Sequence, residues 1–328
     1  MENKTNLSPE QVKEEAARWD ALRHEVGKVV VGYHRVIDRI IIGLLCNGHI
    51  LLEGAPGLAK TTLVRTIAKA VGLSFSRIQF TPDLLPSDII GTLVYNPKTQ
   101  DFMTKKGPIF AGVVLADEIN RAPAKVQSSL LEAMQEHQVT IGDQSHKIDT
   151  PFIVLATQNP IDQEGTYSLP EAQVDRFLLK LIMGYPTRED ELEIIKKITS
   201  TESVTVHQAL EKADIAGSQK IASQIFSDDR INEYILDIVR ATRPGEHTPK
   251  QLQGLIRFGA SPRAVIALSR ASKAHALIKK RHFVIPDDVK AIAADVLRHR
   301  IILTYEAEID NLRTDDIVKS VLEIIKSP

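Results

Sequence analysis

The chain has 328 residues, 43% hydrophobic and 25% charged, with 41 basic against 42 acidic side chains and a formal net charge of −1. That length has room for two domains with their own cores. The near-neutral balance gives no sign of a general polyanion binder, although a local basic surface stays open. A single cysteine rules out an internal disulfide, and no apolar run reaches the length of a membrane span.

Cys46 falls in an apolar helical stretch and reads as a small core residue. The absence of a disulfide fits a cytoplasmic location. Residues 1–10 are polar and lack the basic and apolar regions of a signal peptide. The ten histidines include no pair three or four apart, so a histidine metal site is not expected.

Ser8-Pro9-Glu10 opens a predicted helix to about Val26. Val36, Ile37, Ile40, Ile41, Leu44 and Leu45 recur with helical period, and Asn47-Gly48 ends that helix. Residues 49–52 then read as a buried strand. They run into Glu53-Gly54-Ala55-Pro56-Gly57-Leu58-Ala59-Lys60-Thr61-Thr62, followed by a helix from Leu63. Strand, glycine-containing loop, Lys-Thr and helix form the context of a phosphate-binding loop. Loop amides and a helix N-terminus offer N–H groups to phosphate oxygens. On this reading Lys60 reaches the β- and γ-phosphates and Thr61 ligates Mg²⁺. Ala59 stands where a second glycine is usual, and a strand–helix turn that binds nothing is the alternative.

Residues 73–80 read as a second strand, and residues 91–106 as a small hairpin around Asn96-Pro97-Lys98. Residues 111–118 form an apolar strand ending in Asp117-Glu118. A helix over 123–135, a hairpin over 139–148 and strands over 152–157 and 177–182 complete an α/β parallel sheet. Ligands on such sheets sit beyond the C-terminal strand ends, where Lys60, Asp117 and Asn159 fall. Beyond Tyr185-Pro186 only helical patterns are evident. They include one face from Ile231 to Val239, a helix from Ser261-Pro262 to about Lys280, and another from Pro286 to about Arg300. The expected domains are 1–185, nucleotide-binding, and 186–328, all-helical.

Asp117, at the end of a buried strand, is the candidate to hold Mg²⁺ through water, and Glu118 the candidate to polarise attacking water. Two solvated acids are the alternative. Together with Gly54-Ala-Pro-Gly-Leu-Ala-Lys-Thr61, the motifs Asp117-Glu-Ile-Asn-Arg-Ala122, Ala156-Thr-Gln-Asn-Pro160, Val174-Asp-Arg-Phe177 and Gly259-Ala-Ser-Pro-Arg-Ala264 resemble those of AAA+ ATPases. In their order they resemble the MoxR branch, over nearly the whole chain. An alanine at position 59 is similar to a variation found in that branch.

The resemblance implies a P-loop α/β sheet flanked by helices, with a C-terminal helical lid, that hydrolyses ATP with Mg²⁺. It implies that Asn159 positions the hydrolytic water, that Arg176 is a finger reaching a neighbouring subunit's nucleotide, and that Arg263 is a lid arginine sensing the γ-phosphate. By themselves Asn159-Pro160 reads equally as a turn, and Asp175–Arg176 as a surface pair. An arginine in a first helical turn, as at Arg263, opposes the helix dipole. The resemblance further implies self-assembly into a ring, with a hexamer expected. The clients would be partner proteins, among them proteins with a von Willebrand factor A domain, for maturation or metal insertion. The two hairpins resemble insertions that contact client or pore, with decoration of the sheet edge as the alternative. A nucleic-acid motor is the competing reading, which the charge and the lack of a DNA-binding motif disfavour.

Overall fold

The computed structural model describes residues 7–160, 167–199, 204–245 and 248–328. The first helix, α1 (Pro9–Gly27), starts with a reciprocal cap. The Ser8 hydroxyl accepts from Gln11 N at 3.2 Å, and Gln11 Oε1 accepts from Ser8 N at 2.9 Å. In α2 (His34–Leu45) every apolar position of the helical repeat is buried. Asn47, with φ 45°, turns the chain into the first strand.

In chain order the next strands are β1 (Ile50–Gly54), β2 (Phe75–Gln79), β3 (Gly91–Asn96), β4 (Asp101–Lys106), β5 (Val113–Asp117), β6 (Gln138–Ile141), β7 (Gln144–Lys147), β8 (Ile153–Gln158) and β9 (Leu179–Met183). Five of them form one parallel sheet in the order β2-β5-β8-β1-β9. β3–β4 and β6–β7 are separate antiparallel hairpins, where the turn chemistry places them. Between the strands run α3 (Lys60–Ala70), α4 (Pro86–Ile90), α5 (Ala124–Glu136) and α6 (Glu171–Val174).

Strand alternation divides the core. Ile50 and Leu52 join the apolar cluster that includes Leu63, Val64 and Ile67 of α3, whereas Leu51 joins the opposite cluster with Leu130 and Leu131 of α5. Parallel strands buried on both faces read as continuous apolar runs, which is why β5 and β8 were legible without an alternating pattern.

Beyond the sheet lie α7 (Arg188–Thr199), α8 (Lys212–Gln224), α9 (Asp229–Ala241), α10 (Pro262–Ile278), α11 (Pro286–Leu297), α12 (Tyr305–Ile309) and α13 (Thr314–Ile324). One departure from a purely helical region is a short antiparallel ribbon of β10 (Ile256–Phe258) with β11 (Ile302–Leu303). Its strands are too short to leave an apolar run in the sequence. The cluster on the α2–α3 face of the sheet continues into α9, α10 and α11, so one core crosses position 186. A buried ion network reinforces that junction. Asp295, 1% exposed, accepts from Arg39 Nε of α2 at 2.6 Å and from Arg298 Nη1 at 2.9 Å. Removing either partner of a pair this dry would leave the other charge buried and uncompensated, which is costly.

Candidate active site

The loop from Gly54 to Thr61 wraps the C-terminal end of β1. A side chain at Gly54 would stand 2.9 Å from Met183 O, so the close approach of β9 demands glycine there. Gly57 turns at φ 85° with open space over its Cα, as a cradle facing a ligand would. Ala59 itself is left-handed, φ 55° and ψ 23°, immediately before α3. A glycine would adopt that conformation without strain; alanine does so at a cost of about 1 kcal/mol. The loop therefore takes at Ala59 the left-handed turn that a glycine would favour. Lys60 Nζ donates to Gly54 O at 2.6 Å, folded back over its own loop. Burial holds its pKa below the usual lysine value, and the charges of Asp117 and Glu118 partly offset this.

Register across the sheet brings the acids to the same end. Asp117 closes β5, and Asn159 follows β8 and is buried. Thr157, fully buried, donates through Oγ1 to Asp117 Oδ1 at 2.6 Å and accepts from Glu118 N at 2.8 Å. From the edge strand β2, Arg77 donates to Asp117 Oδ2 through Nε at 3.0 Å and Nη2 at 2.6 Å. Gln79 donates to Glu118 Oε2 at 2.9 Å, and Arg121 Nε lies 3.1 Å from the same oxygen. Glu118 is left-handed at φ 58°, which turns its carboxylate out of the strand line. The loop behind it is pinned by buried Gln127, whose Nε2 donates to Ile119 O and Ala122 O at 3.2 and 3.0 Å.

Asp117, Glu118 and Asn159 belong to motifs evident in the sequence, whereas Arg77, Gln79 and Thr157 carry no such signal of a role. Thr157 lies inside the Ala156–Pro160 motif, but what it touches depends on the β5–β8 register. Arg77 and Gln79 lie two apart on one strand, so one face of β2 carries both, and that periodicity is the only trace they leave.

The two remaining arginines are elsewhere. Arg176 and Arg263 line a pocket of about 280 Å³ with Asn47, Gly48, His49, His137, Arg270 and Arg300. Asn47 and His49 precede β1 and Arg176 precedes β9, so this pocket sits at the N-terminal strand ends. The length of β1, roughly 15 Å at about 3.3 Å per residue, separates it from Lys60. Arg176 Nε is buried without a partner among the described residues. Arg263 is half exposed at the start of α10, with Nη1 3.9 Å from Asp175 Oδ2. The lid arginine expected beside the γ-phosphate thus stands next to Arg176, away from this chain's own loop, at the point where Asp175 holds Ser261 and Arg300.

A parallel sheet in this order, a phosphate loop after its β1 and paired acids after β5 define an ATPase of the P-loop class. A profile described as "ATPase family associated with various cellular activities (AAA)" matches residues 49–179, and one described as "AAA lid domain" matches residues 252–321. The chaperone MoxR1 of Mycobacterium tuberculosis is 47% identical over 93% of this chain and 81% of its own length. The protein MoxR of Methylorubrum extorquens is 30% identical over 96% of each. A crystal structure from Cytophaga hutchinsonii superposes with a TM-score of 0.92 at 47% identity, and the match covers 97% of both chains. The chain belongs to the MoxR family of AAA+ ATPases.

Proposed function

We propose that the chain is an ATP-driven chaperone that assembles into a ring and remodels partner proteins in the cytoplasm. The observation that carries the ring is the separation of Arg176 and Arg263 from Lys60, Asp117, Glu118 and Asn159 by the length of the sheet. No side-chain movement closes that distance within one chain. A second subunit set against the first brings its arginine pocket to the first one's phosphate loop, and both arginines then act in trans. A hexamer is the ring we propose.

Within that site, the amides of Gly54 to Thr62 hold the phosphates and Lys60 leaves Gly54 O to neutralise them. Thr61 and Asp117 are hard oxygen donors of the kind Mg²⁺ takes, Asp117 through water. Bound Mg²⁺ supplies charge neutralisation and orientation of the phosphate oxygens. Glu118 accepts the proton of the attacking water, Asn159 positions that water, and Arg176 and Arg263 offset the charge that develops.

The chaperone reading draws on the Mycobacterium tuberculosis relative's name. For the client we propose a protein with a von Willebrand factor A domain, acted on during maturation or metal insertion. The testing variant is Glu118→Gln. ATP binding is expected to persist while turnover falls by roughly 10²-fold or more, and an ATP-bound oligomer should accumulate with client attached. Unchanged turnover would remove Glu118 from the mechanism.

A further inference from the structure

Asp117 is nearly buried, 8% exposed, and a carboxylate so placed is costly unless both oxygens are engaged. Both are. Oδ1 takes the Thr157 hydroxyl, and Oδ2 takes Nε and Nη2 of Arg77. Arg77 is drawn toward the strand end by Gln79, whose Oε1 accepts from Nη2 at 2.5 Å. Across the β2–β5 register Arg77 faces Leu115, so its side chain leans along the strand to reach an acid two residues further on.

The two partners differ in what separation would cost them. The Arg77 side chain is 45% exposed and that of Asp117 11%. A guanidinium half in water leaves its partner cheaply, whereas the carboxylate must have a cation or donor at all times. We infer that Arg77 is a counter-cation for Asp117: it occupies Oδ2 while no divalent ion is bound, yields it when one arrives, and so sets the Mg²⁺ concentration the site requires. The inference rests on the proposed magnesium role of Asp117. The planar fork of arginine suits the task, because it satisfies one carboxylate oxygen with two donors.

The test measures the metal directly. Mn²⁺, which takes the same oxygen ligands, is titrated into full-length protein held in excess over a non-hydrolysable ATP analogue. Bound ion is counted by electron paramagnetic resonance. In Arg77→Met the half-saturating Mn²⁺ concentration should fall by roughly threefold to tenfold, the effect of removing one partly screened charge beside the ligand. Arg77→Lys should stay near wild type. Arg77→Gln, which keeps a donor to Asp117 and therefore the fold, should fall like Arg77→Met. In Asp117→Asn the half-saturation should rise, and adding Arg77→Met to it should lower it by less than Arg77→Met lowers the wild type, because only the through-space charge effect remains. If Asp117→Asn leaves the titration unmoved, the magnesium role of Asp117 is wrong. If Asp117→Asn moves it but Arg77→Met and Arg77→Gln leave it unchanged or raise it, Arg77 is a structural partner only and the inference is overturned.

Discussion

Arg300 Nε donates to Asp175 Oδ1 at 2.7 Å, while Ser261 Oγ donates to Asp175 Oδ2 at 2.9 Å. One aspartate at the entry to β9 therefore joins the sheet to both the start of α10 and the segment after α11, directly beside Arg176. Arg300 also donates to Asp175 O and Phe177 O, at 3.2 and 2.6 Å. Asp175→Ala would leave Arg300 buried and without its counter-ion. A loss of roughly 3–5 kcal/mol in unfolding free energy is expected, measured in urea at neutral pH. Asp175→Asn, which keeps an acceptor, should lose less.

Subunit mixing separates the two possible placements of Arg263. With both arginines acting in trans, Lys60→Ala subunits mixed with Arg176→Ala subunits should recover part of the ATPase rate. Lys60→Ala mixed with Arg263→Ala should recover it too. Arg176→Ala mixed with Arg263→Ala should not, since every shared site then lacks one arginine. Recovery in the last mixture and none in the second would return Arg263 to its own chain's site.

His49 gives the fold an acid limit. Its Nδ1 accepts from Val154 N at 3.0 Å and its Nε2 donates to Met134 O at 3.0 Å, so the ring is neutral and joins β1, β8 and α5. Burial, with a smaller contribution from the nearby His137, lowers its pKa to about 4. The unfolded chain protonates this imidazole below about 6.5 and the folded chain does not until about 4, so stability is complete above 6.5 and is lost as pH falls. The contribution is about 3 kcal/mol across that window. His299, also pushed well down by burial and by Arg300, adds to the same slope. His49→Gln should flatten the dependence of the urea midpoint between pH 6.5 and 4.5, and an unchanged slope would show that His49 already titrates normally.

The β3–β4 hairpin exposes Tyr95, Phe102 and Met103, with Tyr95 and Phe102 edge-to-face at 5.5 Å. An apolar surface this open contributes little to the fold. Phe102→Ser with Met103→Ser should change stability by less than about 0.5 kcal/mol. If the hairpin contacts client, the same pair should sharply reduce the client retained by ATP-locked Glu118→Gln oligomers. Retention at the unaltered level would make the hairpin decoration.

Much of this protein was legible in its sequence because the signals were local. Gly54 to Thr61 is a contiguous turn between a strand and a helix, Ser8 and Ser261 cap the helices that follow them, and the apolar runs of β5 and β8 report strands buried on both faces. Asp117 was legible for the same reason, since it ends such a run, whereas Asn159 by itself reads equally as a turn and stood out only through the resemblance. Arg77 and Thr157 were not, because what they touch is set by the register of strands far apart in the chain. The position of Arg263 was hidden further. The helix that carries it is plain from its Ser-Pro start. Which end of the sheet that helix reaches depends on the core shared with α2 and on the buried pairing of Asp295 with Arg39. Local chain chemistry determined the elements and the phosphate loop; packing between distant segments alone decided which charges meet, and it set the two arginines at the end of the sheet away from Lys60.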